Sequence, residues 1–125
     1  MDTKERKAFS LIARVGSFRH AFRGLGIFVS RTHNAWIEIC AGFIVVAFGY
    51  YYSITSVEWL MLGISFGILL MAEAFNTAIE IHMNLTSPGM HPYARDTKDI
   101  SAGAVLIAVI MFVCCVIAIF LPKIA

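Results

Sequence analysis

Residues 102–121 read AGAVLIAVIMFVCCVIAIFL, a run that would leave no face of a helix with a charge. A helix at the surface of a soluble protein keeps one polar face toward water, so this run needs an apolar environment on every side. The chain has 125 residues, 59% of them hydrophobic and 14% charged. That is room for one domain, with fewer charges than the roughly 25% of a soluble one. A bilayer core about 30 Å thick is crossed by roughly 20 apolar helical residues at about 1.5 Å each. Working outward from the opening run, three segments meet that length: about Ile100 to Leu121, about Val57 to Ile81, and about Ala35 to Tyr52. Almost nothing remains for a soluble domain, and a water-soluble bundle is excluded by the missing polar face.

Lys4, Arg6, Lys7, Arg14, Arg19, Arg23 and Arg31 precede the first span, whereas the stretch Ser53 to Ser56 has neither Lys nor Arg. Basic residues accumulate on cytoplasmic flanks, so the amino terminus is expected inside, the segment His82 to Asp99 inside, and the carboxyl terminus outside. No cleavable leader is expected, because Met1 to Lys7 is charged or polar and lacks an apolar core. Residues Lys4 to Phe28 set Phe9, Leu11, Ile12, Val15, Phe18, Phe22 and Leu25 among Arg and Lys, as in an amphipathic helix lying at the membrane surface. Gly16, Gly24 and Gly26 suggest a bend or a tight crossing there. Cys40, Cys114 and Cys115 lie inside spans without metal-ligand spacing, which reads as packing or lipid contact. Trp36, Trp59, Tyr50, Tyr51 and Tyr52 read as interface aromatics. His20, His33 and His82 have no spacing that marks a metal site.

The turn formers of Asn84-Leu85-Thr86-Ser87-Pro88-Gly89, with Pro92 beyond them, predict the loop between spans two and three. The third helix is expected to start between Ala94 and Asp99, with Asp96 and Asp99 favoured by the positive helix terminus. Ser101, Ala102, Gly103 and Ala104 predict close helix packing, and Leu121-Pro122-Lys123 is expected to end the helix.

Carboxylates inside a span are costly unless they are paired or face a polar cavity, which marks them as functional candidates. Glu73, Asn76, Thr77, Glu80 and Asn84 recur at i, i+3, i+4, i+7 and i+11, one stripe of one helix. The stripe lies near a loop carrying Arg95, Asp96, Lys98 and Asp99. Carboxylates for a divalent cation, a base for a hydroxyl and cations for phosphate are what phosphoryl transfer requires. The soluble kinase and P-loop motifs are missing.

The run Glu73-Ala74-Phe75-Asn76-Thr77-Ala78-Ile79-Glu80, followed by Lys98-Asp99-Ile100-Ser101-Ala102-Gly103-Ala104-Val105-Leu106, resembles the signature of the prokaryotic diacylglycerol kinase family, which includes undecaprenol kinases. Ser17, Phe18, Ala21, Phe22 and Gly24 match as well, and the resemblance covers essentially the whole chain. It implies an all-α integral membrane protein of the bacterial inner membrane, with three transmembrane helices and a surface helix. It further implies a homotrimer whose sites lie between subunits at the cytoplasmic surface, with the γ-phosphate of MgATP passing to a membrane lipid alcohol, diacylglycerol or undecaprenol. The partners implied are ATP, the lipid acceptor, the bilayer and other copies of the chain, and no nucleic acid. Carried over by position, Glu73 is the catalytic base and Glu80 a Mg²⁺ ligand. Lys98, Asp99, Gly89, Met90 and His91 contact the nucleotide, together with His20 and Arg23 of the surface helix, while Asn76, Asn84, Glu38 and Ala102 support the site.

Two positions depart from the family pattern. Thr32 stands where a second metal-binding glutamate is usual, and Asn84 where an aspartate is usual. Thr32 can offer a hydroxyl, and Glu38, about two turns on, is a poorly placed substitute. The alternatives to an active lipid kinase are therefore a catalytically altered or inactive member of the same family and, from another class, a membrane scaffold or transporter subunit.

Overall fold

The computed structural model describes the backbone of residues 3–125 and the side chains of residues 10–32 and 34–125, so the side chains of Lys4, Arg6, Lys7, Phe9 and His33 lie outside the described residues. Four helices follow one another: α1 (Thr3–Arg31), α2 (His33–Tyr51), α3 (Ser56–Thr86) and α4 (Pro92–Ile124). The last three are long and apolar enough to cross a membrane.

Each boundary has a local cause. Only Thr32, with φ −106° and ψ 107°, separates α1 from α2, and backbone bonds run on across it, Thr32 N donating to Phe28 O and Ala35 N to Thr32 O. A four-residue turn joins α2 to α3, with Ser53 in the left-handed region at φ 51°. A capping box then starts α3: Thr55 Oγ1 accepts from Glu58 N at 3.2 Å and Glu58 Oε1 accepts from Thr55 N at 3.0 Å, which satisfies two of the free donors at a helix start. Pro88 disfavours helical geometry at Ser87, and α3 stops there. Pro92 opens α4 behind His91, whose Nδ1 accepts from Tyr93 N at 3.1 Å.

Several expectations need correction. Gly16, Gly24 and Gly26 do not interrupt α1, which is one helix through all three, and they mark no tight crossing within the chain, since a Cβ at any of them would meet nothing within 4 Å. Asn84 to Thr86 belong to the last turn of α3 rather than to the loop. The proline at the first helical position brings the start of α4 forward to Pro92, which leaves Asp96 and Asp99 beyond the first turn. That helix also passes through Pro122 to Ile124. Of the small residues after Asp99, Ser101 is buried, whereas Ala102 and Ala104 are exposed in the single chain.

The α3–α4 hairpin carries the core. Leu62, Ser65, Leu69 and Glu73 of α3 meet Ala94, Ser101, Ala108, Phe112 and Ile119 of α4, with spacings of three, four and seven that keep one seam of each helix against the other. Lipid tails are as apolar as leucine, so shape complementarity and interhelical hydrogen bonds hold these helices together in a bilayer. Shape is most visible between α2 and α3. Gly42 and Gly49 face the rings of Phe66 and Trp59, and a Cβ would lie 2.8 Å from Phe66 Cζ and 2.5 Å from Trp59 Cη2. Trp59 is therefore a packing residue as much as an interface aromatic, while Tyr50 and Tyr51 are exposed. At the same end of the bundle Lys123 Nζ donates to Glu58 Oε2 at 2.8 Å, closing α4 onto α3.

Candidate active site

The polar stripe of α3 lies toward the opposite end, and four of its five members, Glu73, Asn76, Thr77 and Asn84, meet a side chain outside α3. Asn76 Oδ1 accepts from Ser101 Oγ of α4 at 2.8 Å, which leaves its two amide N–H groups as the remaining donors. Asn84 Oδ1 accepts from Lys98 Nζ at 2.7 Å. Thr77 Oγ1 shares a hydrogen bond with Thr32 Oγ1 at 2.7 Å, so the α1–α2 joint docks between Glu73 and Glu80. Glu73 is 2% exposed, and the Glu38 carboxyl group of α2 comes within hydrogen-bonding reach of it. Glu80 is open to its surroundings.

Beyond Asn84 the chain turns around an open pocket of about 650 Å³. The loop Ser87 to His91 forms one wall, and Arg95, Asp96, Lys98 and Asp99 line the first turns of α4. His91 uses Nδ1 to cap α4, leaving Nε2 as its free ring nitrogen, and its ring lies 5.4 Å from that of Tyr93. Arg95 reaches Asp99 at 4.0 Å with both side chains mostly exposed, a pair too wet and too long to neutralise either charge. Gly89, Met90, His91, Lys98 and Asp99 are thus brought to one cavity. His20 and Arg23, exposed on α1, do not line it.

Glu73 and Glu80 are seven residues apart, about 10 Å along the helix axis. That spacing suits two separate tasks rather than two bonds of about 2.1 Å to one Mg²⁺ ion. Among the described residues no three His, Cys, Asp or Glu side chains gather as a metal cage. Mg²⁺ commonly takes one or two carboxylates and completes its shell with water and substrate phosphates. Glu80 is exposed and stands outside the pocket lining, whose charged residues are Arg95 and Lys98 with Asp96 and Asp99; it offers one carboxylate of the kind such an ion takes.

Thr32 keeps its hydroxyl engaged with Thr77, a geometry for tying helices together rather than for replacing a carboxylate. Glu38 does not reach toward the pocket in its place but meets Glu73. The parts that sequence reading missed are Thr77 as a dock for Thr32 and Ser101 as the residue orienting Asn76. Thr77 stands on the stripe and Ser101 stands in the signature run, but a pairing between helices has no periodic signal in one chain.

The sequence profile of the family described as prokaryotic diacylglycerol kinase matches residues 19–120. A curated relative, undecaprenol kinase of Bacillus subtilis, is 31% identical over 123 residues, 98% of this chain and 99% of that protein. Another, diacylglycerol kinase of a Synechocystis species, is 30% identical over 95 residues, 75% of this chain and 54% of that protein. No solved structure matches the chain.

Proposed function

The chain belongs to the prokaryotic diacylglycerol kinase family, and from that premise we propose that it is a membrane lipid kinase transferring the γ-phosphate of MgATP to a lipid alcohol. The observation that carries the proposal is the α3 stripe, which runs from a buried carboxylate, Glu73, to a pocket flanked by Arg95 and Lys98.

Depth supports the assignment of roles. Twenty residues of α3 cross about 30 Å, and counted from Val57 they end at Asn76. Glu73 then lies about 4 Å inside the hydrocarbon boundary, where the hydroxyl of a lipid resides, and Glu80 about 6 Å outside it, where a water-soluble nucleotide arrives. In the reaction Glu73 takes the proton of the lipid hydroxyl as its oxygen forms a bond to the γ-phosphorus. The bond from that phosphorus to the bridging oxygen breaks, and ADP leaves. Bound Mg²⁺ would spread the charge of the β- and γ-oxygens, and Glu80 is the residue to hold it. Asn76, oriented by Ser101, offers N–H donors between the two carboxylates. Lys98, held by an uncharged acceptor, keeps its full positive charge for phosphate, and the loop Gly89 to His91 walls the nucleotide.

The exposed apolar residues Leu11, Ile12, Val15, Phe18, Phe22 and Leu25 of α1 suit a helix at the inner membrane surface or against another copy in a homotrimer. His20 and Arg23, remote from the pocket within one chain, would serve a nucleotide only across such a contact. The basic residues before α2 favour an inner-membrane protein with a cytoplasmic amino terminus.

The test is phosphate transfer from labelled ATP to diacylglycerol and to undecaprenol, side by side in mixed micelles with Mg²⁺. A labelled lipid made by the wild type and not by Glu73→Gln is expected, and the labelled species identifies the acceptor. No labelled lipid across a wide Mg²⁺ range would favour an inactive family member, a reading motivated by Thr32 and Asn84.

A further inference from the structure

The reaction above leaves Glu38 of α2 without a task. We propose that Glu38 is a positioning residue that fixes the Glu73 carboxyl group through a shared proton. The inference rests on Glu73 being the base in that reaction.

Glu38 Oε2 is sealed from solvent and has no hydrogen-bond partner among the described residues, although its carboxyl group faces that of Glu73 within bonding reach. Two ionised carboxylates have only acceptors to offer each other, so their contact would repel and leave Oε2 an orphan. Among the described residues no cation forms an ion pair with either carboxylate: Lys98 donates to Asn84, Arg95 stands in the pocket wall, and Lys123 pairs with Glu58 at the other end of the bundle. One proton between the two groups replaces the repulsion by a bond, with one carboxyl donating and the other accepting, and an O–H···O⁻ bond is among the shorter and stronger hydrogen bonds.

The backbone favours the same contact. Glu38 lies four residues before Gly42 and eleven before Gly49, on the α2 face that receives Phe66 and Trp59. The glycine notches hold that face close to α3, and Ala35, one turn before Glu38 and fully buried, closes the remaining space. With one oxygen of Glu73 bound by Glu38, the other is left in a fixed direction for the lipid hydroxyl.

Two measurements on the full-length protein in detergent test the pair. Infrared difference spectra at neutral pH are expected to show a protonated carboxyl band that Glu38→Gln removes. Absence of the band, or its survival in that variant, would overturn the shared proton whatever the protein catalyses. In the lipid kinase assay, Glu38→Leu is expected to lower kcat at least thirtyfold with KM for ATP within about twofold, while its unfolding midpoint holds or rises because a buried polar group is gone. Glu38→Gln, which can still donate to Glu73, is expected to recover most of that loss. A Leu variant that turns over like the wild type, or a Gln variant as poor as the Leu variant, would overturn the positioning role. A wild type with the band but without lipid phosphorylation would remove the positioning of a base and refute the kinase reading, while the carboxyl pair itself would stand.

Discussion

Gly49→Ala puts the α2–α3 contact to a quantitative test. The added carbon would lie 2.5 Å from Trp59 Cη2, 2.8 Å from Cζ2 and 3.1 Å from Cζ3. Carbon atoms in ordinary contact are about 3.5–4.0 Å apart, so the ring must withdraw by roughly 1 Å. Its retreat is obstructed by the core against which Trp59 packs. Overpacking of this kind costs about 1–3 kcal/mol. Alanine also gains about 1 kcal/mol in helix propensity over glycine, which would mask part of the effect. Gly67→Ala provides the correction, because a Cβ there meets nothing within 4 Å of the chain. Unfolding free energies in micelles titrated with a denaturing detergent should therefore place Gly49→Ala about 1–3 kcal/mol below Gly67→Ala. Trp59→Phe, which shortens the ring, should rescue Gly49→Ala by about 1 kcal/mol or more in a double-mutant cycle. Equal stability of the two alanine variants, or strict additivity with Trp59→Phe, would refute the notch.

The other expectations concern the site. Glu73→Gln should abolish lipid phosphorylation while circular dichroism and the unfolding midpoint remain those of a folded protein, and Glu80→Gln should chiefly raise the Mg²⁺ concentration for half-maximal rate. Ser101→Ala and Asn76→Ala should show a coupling of about 0.6–1.7 kcal/mol in unfolding, the range for interhelical hydrogen bonds in membranes, and additivity would mean that the 2.8 Å bond does not form. Lys98→Met should raise KM for ATP about tenfold or more with a smaller change in kcat; an unchanged KM would place the nucleotide elsewhere.

Much of this was legible in the sequence because a bilayer imposes length and polarity with few exceptions. An uncharged run such as 102–121 can hardly be anything but a span, and the five polar positions of α3 announce one face of one helix. The ends of helices were less legible. Loop composition near Asn84 suggested an early stop, but helical hydrogen bonding carries α3 to Thr86, where Pro88 becomes the nearer constraint. At Pro92 the proline itself set the start that the later aspartates were expected to set. What could not be read was the pairing across helices. Whether Glu38 meets solvent, metal or Glu73 depends on how α2 crosses α3, and that crossing is decided by two glycine–ring contacts whose partners are 24 and 10 residues apart in the chain.

The joint at Thr32 has a mechanical consequence. A helix about 43 Å long, α1, is rooted by one non-helical residue, and the side chain of that residue is bonded to Thr77, midway between Glu73 and Glu80. A swing of α1 about its root therefore cannot proceed without pulling on or releasing a hydroxyl that touches the stripe. The root of α1 and the middle of the stripe are thus joined by a single short hydrogen bond, so the contacts α1 makes along its length bear on the stripe through one pair of hydroxyls.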